Sequence, residues 1–392
     1  MRILRKANLR ARILSDDFEL IERARAAQLR AVELDDVFPD TRWVAREEAA
    51  RTVIENKVIL VAGADLPVGE ELCRRILRRH PRRLILLESS NDDRVDLGQG
   101  GIGAPGGRMD AWESSCSVEK MRPDVIFYLP DQSIKDGDEF AAQYFWRSVL
   151  PLVHFAEAAW RHGTKVFVTC GKESDPNSKR GLMWRLAQMY LGALRFGFPQ
   201  KTAFNSLEWP LVVDLNESVF AQWKNQIDRG WPLVEPGISS LRCITRRDAA
   251  ESAIECAARG KAGRAYVMDG VEETPVSDVM DRMRVVYGLP EFEAPRGQDN
   301  VGPPWLPALM GWPTRVEKCP AKEGPVWSEV SFREDALPSA GIPEVRQFIQ
   351  SLIKKAYVLS SEEFKNEIQR FVSASDSRTA PLHQVIKPKD GD

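Results

Sequence analysis

Residues Lys57 to Leu87 constrain this chain more than any other stretch. They read KVILVAGADLPVGEELCRRILRRHPRRLILL. Val58 to Val61 is a short apolar run rich in β-branched residues, as a strand buried on both faces requires. The turn GADLPVG follows, with Gly63 and Gly69 at its two ends. Glu70 to Arg79 then sets Leu72, Ile76 and Leu77 on one helical stripe, and Leu84 to Leu87 is a second buried strand. Strand, glycine turn, helix and strand within about thirty residues make the opening βαβ unit of a dinucleotide-binding sheet.

The same alternation continues. DVIFYL (Asp124–Leu129) and KVFVTC (Lys165–Cys170) read as further buried strands. Phe140–Arg161 reads as a long helix with Phe145, Val149, Leu152, Val153 and Ala156 inward. Gly181–Leu194 reads as another, with Leu182, Leu186, Met189, Tyr190 and Ala193 inward. Strands and helices of these lengths imply an α/β fold, a Rossmann-type doubly wound parallel sheet with right-handed crossovers. Before the sheet, residues 1–51 read as a helical N-terminal extension of two charged segments. The basic start MRILRKANLRAR reads as a loosely docked first helix rather than a membrane-surface one. Asn91–Asp110 is a polar, glycine-rich loop, and its GGIGAPGG follows no strand, so it is no phosphate cradle. The Rossmann-like domain is expected over 52–290, with substrate-side elements from about 205 forming a smaller subdomain. In 291–359 a proline- and tryptophan-rich loop, with Trp305 and Trp312, leads to a helix packing on that domain. In 360–392 a helix opened by a Ser360/Glu363 capping box ends near Val372, before a disordered tail.

Composition excludes several classes of function. The 392 residues carry a formal net charge of −2, so no global field draws nucleic acid or an anionic membrane. No apolar run is long enough to span a bilayer. Six scattered cysteines without metal spacing point to reduced thiols and a cytoplasmic setting. Four histidines, none paired at ligand spacing, leave no expected metal site.

Four blocks in order carry a resemblance: Lys57–Glu88; RPDVIFYLP with the helix ending VHFAEAAW; KVFVTCGKESDPNSKRGLMWRLAQ; and SVFAQWKNQIDRGWPL. Over about residues 55–290 the chain resembles the extended short-chain dehydrogenase/reductases. Within them it is most like the polysaccharide-biosynthesis group of UDP-N-acetylglucosamine 4,6-dehydratases and epimerases. The resemblance implies a bound nicotinamide that takes a hydride from C4 of the sugar, elimination of water across C5 and C6, and return of the hydride.

Tested residue by residue, this implied chemistry fails. The family turn is GxxGxxG, whose middle glycine lets backbone approach the pyrophosphate. Here Gly63 and Gly69 remain, but Leu66 stands in the middle, flanked by Asp65 and Pro67, which lacks an N–H. At an effective dielectric near 20, two unit charges about 4 Å apart repel by about 4 kcal/mol, so Asp65 works against an anionic ligand unless it turns away. Glu88 ends the second strand where the family's acid binds the adenosine ribose, favouring NAD; it reads equally well as a solvated strand end. In the catalytic segment the family has Thr-Asp-Lys, then a Tyr or Met eight residues past that Lys and a second Lys twelve past it. This chain keeps Lys172 but has Gly171 for the acid, Arg180 at the eighth position and Trp184 at the twelfth. A guanidinium stays protonated and cannot serve as a base, and indole has no acid–base chemistry near neutrality. Tyr190 lies two helical turns beyond the register and reads as core. On the substrate side, Leu211 stands for the family's Asn, Leu241 for its Arg with Arg242 one place off, and Ser148 for an Asn that supports the site.

The expected function is therefore a degenerate nucleotide-sugar dehydratase homologue, catalytically inactive, with no or weak NAD(P) binding. Gly63, Gly69 and Glu88 would be vestigial. Its role would be structural or regulatory, in surface polysaccharide biosynthesis. It would act as a homo-oligomer, or paired with an active homologue through the helices Phe140–Arg161 and Gly181–Leu194. Two alternatives stand beside it: an active NAD(P)-dependent 4,6-dehydratase or epimerase with a rearranged site, and a non-catalytic nucleotide-sugar sensor gripping an anion with Lys172, Lys179 and Arg180.

Overall fold

The computed structural model describes residues 12–14, 29–31, 41–88, 107–108, 118–130, 140–172, 178–195, 202–213, 219–229, 231, 233–234, 239–259, 262–287, 326–330, 332–336, 341–356 and 358–378. The chain divides into two compact units. One comprises Met1–Trp43, Pro210–Asp248 and Val271–Ser328; the other comprises Val44–Trp209, Ala249–Gly270 and Glu329–Asp392.

The larger unit begins with helix α1 (Glu47–Ile54) and holds the parallel sheet. The sheet's elements in chain order are β4 (Val58–Ala62), α2 (Pro67–Leu77), β5 (Arg83–Glu88), β6 (Gly107–Arg108), β7 (Val125–Tyr128), α3 (Phe140–Tyr144), α4 (Leu150–His162), β8 (Val166–Lys172), α5 (Lys179–Arg195) and β9 (Ala203–Trp209). Helix α7 (Arg246–Arg259) leads into β12 (Arg264–Met268). The C-terminal elements are β15 (Phe332–Ala336), α9 (Ile342–Lys355) and α10 (Ser361–Arg378). The strand order is β15-β12-β9-β8-β7-β4-β5-β6, and β15 alone runs antiparallel to its neighbour. The first strand of the βαβ unit therefore lies between β5 and β7, where the order reverses. This switch point is where open α/β sheets take ligands. It is the Rossmann-type arrangement expected from the alternation of elements.

Every residue of β4 is buried, which explains the unbroken apolar run. Asp124 closes the opposite end of the sheet: its carboxylate accepts from the Val58 N–H at 3.0 Å and pairs with Lys165 at 3.2 Å. One α9/α10-side core gathers Leu60, Ile126, Phe155, Phe167, Leu186 and Phe204 with Val345 and Phe364. The long helix expected over Phe140–Arg161 is interrupted by a π-helical turn at Phe145–Val149. Pro151 has no N–H to continue the ladder, and a single widened turn relieves this.

The smaller unit holds β1 (Arg12–Leu14) antiparallel to β2 (Leu29–Ala31) and most of β3 (Thr41–Val44). It also holds β10 (Leu211–Val212), α6 (Val219–Asp228), β11 (Ser240–Ile244), β13 (Glu273–Pro275) and α8 (Val276–Tyr287), with most of β14 (Val326–Glu329). Phe220, Trp223, Leu241, Val279 and Met283 form its core. The helical reading of residues 1–51 is corrected here. Over the described residues there are three short strands and α1. Pairing between β1 and β2 satisfies their backbone, and the Trp43 N–H donates to the buried Asp248 carboxylate at 2.9 Å. Tertiary partners of this kind outweigh even the high helix propensity of Leu, Ala and Arg, which is a weak prior.

Two smaller differences follow. Gly107–Arg108 forms an edge strand within the stretch read as loop. Helix α10 runs to Arg378 rather than stopping near Val372, and residues 379–392 lie outside the described ones, as do Trp305 and Trp312. The capping box itself is present: the Ser360 N–H donates to Glu363 Oε2 at 2.9 Å, and the Glu363 N–H reaches Ser360 Oγ at 3.4 Å. Among the described residues no helix is long and apolar enough to cross a membrane. Cys73, Cys170, Cys243 and Cys256 are buried free thiols, and burial pushes the Cys243 thiol up to about 11, far from thiolate reactivity at neutral pH.

Candidate functional site

The turn after β4 keeps the two glycines that the fold needs. Gly63 has φ +84°, and a Cβ there would lie 2.6 Å from the Leu129 carbonyl oxygen. A Cβ on Gly69 would lie 2.0 Å from the Gly63 carbonyl oxygen, so only glycine lets α2 approach β4. The Gly63 and Ala64 N–H groups are both spent on the Leu87 carbonyl, at 2.8 and 3.0 Å. Leu66 is the N-cap of α2 and Pro67 its first residue. The Leu66 side chain turns back over Gly63, with Cδ1 3.1 Å from where a Gly63 Cβ would stand. The helix end that should present N–H groups to a pyrophosphate thus offers a half-buried leucine and an imide nitrogen without hydrogen. Glu88 ends β5, half-buried and in register with Arg108.

At the carboxyl ends of β8 and β9 the structure brings together residues of the catalytic segment with residues that sequence reasoning missed. Gly171 and Glu208 are directly paired across the two strands. Trp184, one turn into α5, lays its indole on Gly171. A Cβ at that glycine would come within 2.7 Å of ring atom Cζ3 and 2.8 Å of Cη2. The indole N–H donates to Glu208 Oε1 at 2.8 Å, and Gln188 Nε2 donates to the same oxygen at 2.9 Å and to Ser206 Oγ at 3.0 Å. The ring is 7% exposed. Gly171 and Trp184 therefore form one packed arrangement, anchored on Glu208.

The cations lie beside it. Lys172 ends β8 and is exposed; desolvation, and then the nearby Arg180 guanidinium, lower its pKa from the ordinary lysine value. Arg180 sits 5.5 Å over the Tyr144 ring, and Ser178 caps α5 by accepting from the Gly181 N–H at 3.0 Å. Lys179 opens the helix, half-buried. Tyr190 is core: it is 1% exposed, its hydroxyl donates to Glu157, and burial and that carboxylate raise its pKa. Ser148 is buried, and its carbonyl accepts from the Tyr128 hydroxyl at 2.7 Å. In the smaller unit Leu211 is half-buried on β10, Leu241 is core, and Arg242 donates to the Val271 carbonyl at 3.4 Å.

Chemically, the described residues at the ends of β4 and β8 depart from the pattern that the resemblance implies for a nicotinamide dinucleotide. The phosphate turn has lost its middle glycine and a donor, and indole packs where the implied acid and second lysine belong. Glu208, Gln188 and Ser206 escaped the sequence reading because AFNSLEW looks too polar for a central strand. The signal available was the length of the run between two α/β units.

No family model matches the chain. In sequence it is similar to the probable polysaccharide biosynthesis protein EpsC of Bacillus subtilis (strain 168), 22% identical over 304 residues that cover 71% of this chain and 49% of that protein. It is also similar to the capsular polysaccharide biosynthesis protein CapD of Staphylococcus aureus, 23% identical over 283 residues covering 67% and 46%. The chain spans about half the length of these curated relatives. In structure it is similar to the Bordetella bronchiseptica enzyme WbmF, solved in complex with NAD+, with a TM-score of 0.52 at 15% identity over 83% of this chain and 99% of that one. Pen from Bacillus thuringiensis gives a TM-score of 0.52 at 16% identity over 60% and 75%. These structures share the Rossmann-type fold with this chain, and both sequence relatives are polysaccharide-biosynthesis proteins, the group its motifs resemble.

Proposed function

We propose that this chain is a nucleotide-sugar dehydratase homologue that no longer carries out the family reaction and serves a structural or regulatory role in surface polysaccharide biosynthesis. The observation that carries this reading is the indole of Trp184 packed on Gly171 and tied to Glu208. Proton transfer to and from a sugar needs an ionisable group within hydrogen-bond reach of the reacting atoms. At this point the chain presents a glycine, a permanently charged arginine and an indole. Glu208 is the carboxylate nearest in register to the missing acid, but its Oε1 already accepts from Trp184 and Gln188. The turn at Leu66 and Pro67 supports weak or absent NAD(P) binding on independent grounds. The relationship to EpsC and CapD supports the pathway.

A thermal-shift series against NAD, NADP and nucleotide sugars tests the reading, because a ligand that binds only native protein raises the melting temperature by mass action. The expected result is no shift with either dinucleotide at micromolar concentration. A clear shift with NAD or NADP counts against the reading. A second reading, a nucleotide-sugar sensor, is favoured by one observation: Lys172 and Arg180 lie close enough for one charge to depress the other, an arrangement that an anion would relieve. A shift with a UDP-sugar and none with a dinucleotide selects it. A shift with both, together with a 4-keto product from UDP-N-acetylglucosamine, selects the active enzyme with a rearranged site.

A further inference from the structure

Helix α5 is buried around its whole circumference. From Gly181 to Leu194 only Arg185 is even half-exposed. A helix apolar on every side cannot end at solvent and must be covered on the face turned away from its sheet. Trp184 and Gln188 face β9. The opposite side is covered by α9 and α10, which pack on α5 while α10 also packs on α3. Val345, Ile349 and Leu352 form one stripe of α9, and Phe364, Ile368 and Val372 one stripe of α10; all six are buried in the same core. The Phe364 ring meets Phe145 edge-on with centroids 5.6 Å apart. Arg346 of α9 donates to Glu157 Oε1 at 3.0 Å, the carboxylate that also accepts from Tyr190 of α5. The two covering helices are clamped to each other by stacked Phe348 and Phe371, 3.9 Å apart, and by Lys355 on Glu367 at 2.8 Å.

We infer that the α9–α10 hairpin is a built-in partner: it occupies the outer face of α5 and packs on α3 permanently, so this unit does not associate with a second copy or a relative through that face. This redirects the expectation that Phe140–Arg161 and Gly181–Leu194 pair with another chain. A second chain could reach the covered face of α5 only after six buried apolar side chains and the Arg346–Glu157 pair had left. The inference is independent of whether the protein binds a dinucleotide.

Amide exchange of α5 in the full chain, measured across a wide concentration range alongside sedimentation, tests it. The expected result is that α5 protection does not change with concentration, whatever mass the particle has. Phe364→Ala, by opening the cover locally, is expected to speed α5 exchange by about tenfold or more. Protection of α5 that falls as a larger species dissociates on dilution would show that the cover comes from a second copy and overturn the inference. So would Phe364→Ala that folds and leaves α5 exchange unchanged. If Phe364→Ala does not fold, the milder Ile368→Val gives the same comparison with a smaller acceleration.

Discussion

Gly171→Asp destabilises the protein by about 3 kcal/mol, and adding Trp184→Lys gives a double variant about 2 kcal/mol more stable than the sum of the two single losses would make it. The substituted Cβ would arrive within 2.7 Å of the Trp184 ring, and the ring cannot swing away without releasing its hydrogen bond to Glu208. Overpacking of this kind costs about 1–3 kcal/mol. The new carboxylate would also stand directly across from Glu208 on the neighbouring strand, so charge repulsion adds to the clash. Trp184→Lys alone leaves a gap beside Gly171 and costs about 2–4 kcal/mol. In the double variant the aspartate fills the gap and the ammonium lies between two carboxylates. Urea denaturation of the four proteins gives the coupling. An interaction of about 2 kcal/mol is expected, whereas additivity to within about 0.5 kcal/mol would mean that the two positions are independent. The cycle asks whether glycine and indole form one arrangement, which is what distinguishes a filled site from two unrelated losses.

Glu251→Ala has an effect of similar or greater size, about 3–5 kcal/mol, for a different reason. Glu251 is 3% exposed and Arg79 9%. Glu251 Oε2 accepts from Arg79 Nη2 at 2.9 Å and from the Ala45 N–H at 3.2 Å, while Arg75 lies 3.8 Å from Oε1. Arg79 also donates to Glu47 at 3.0 Å. Four residues along α7, Glu255 accepts from the Arg46 N–H and guanidinium at 3.0 and 2.6 Å. Removing Glu251 takes from Arg79 its buried carboxylate, leaving it only the exposed carboxylate of Glu47, and takes from the Ala45 N–H its acceptor. Glu251→Gln keeps an acceptor for Ala45 and is expected to cost about half as much. The exposed pair Arg74–Glu70 provides the control; Glu70→Ala should stay within about 0.5 kcal/mol of the parent. Equal effects of Glu251→Ala and Glu70→Ala in denaturant would refute the assignment of a buried network.

These two clusters also show what could be read before the structure and what could not. Strands β4, β5, β7 and β8 were legible because burial on both faces writes an uninterrupted apolar run. Strands β9 and β11 were not. Ser206 and Glu208 are polar because they face Gln188 and Trp184 of α5, and Asn205 because its amide oxygen accepts from the Arg264 N–H. No local pattern announces a partner on another element. Residues 41–46 read as helical, yet their extended backbone is held by acidic side chains more than two hundred positions away. At the site, each departure from the family pattern was legible singly. That Trp184 and Gly171 interlock, and that Glu208 anchors them, required the register of β8 against β9. The Ser360/Glu363 cap announced α10, but not that α10 would cover α5.

The residues that match the resemblance and those that depart from it divide along one line. Gly63 and Gly69, where a side chain would strike backbone, are kept because the fold needs them. Leu66, Pro67, Gly171 and Trp184 stand where a dinucleotide and a reacting sugar would make their demands. The most direct test is to incubate the protein with NAD+ and UDP-N-acetylglucosamine, follow the sugar for a 4-keto product, and titrate NAD+ in the same preparation. The account predicts no product and no NAD+ binding at micromolar concentrations. Micromolar binding accompanied by turnover would contradict it.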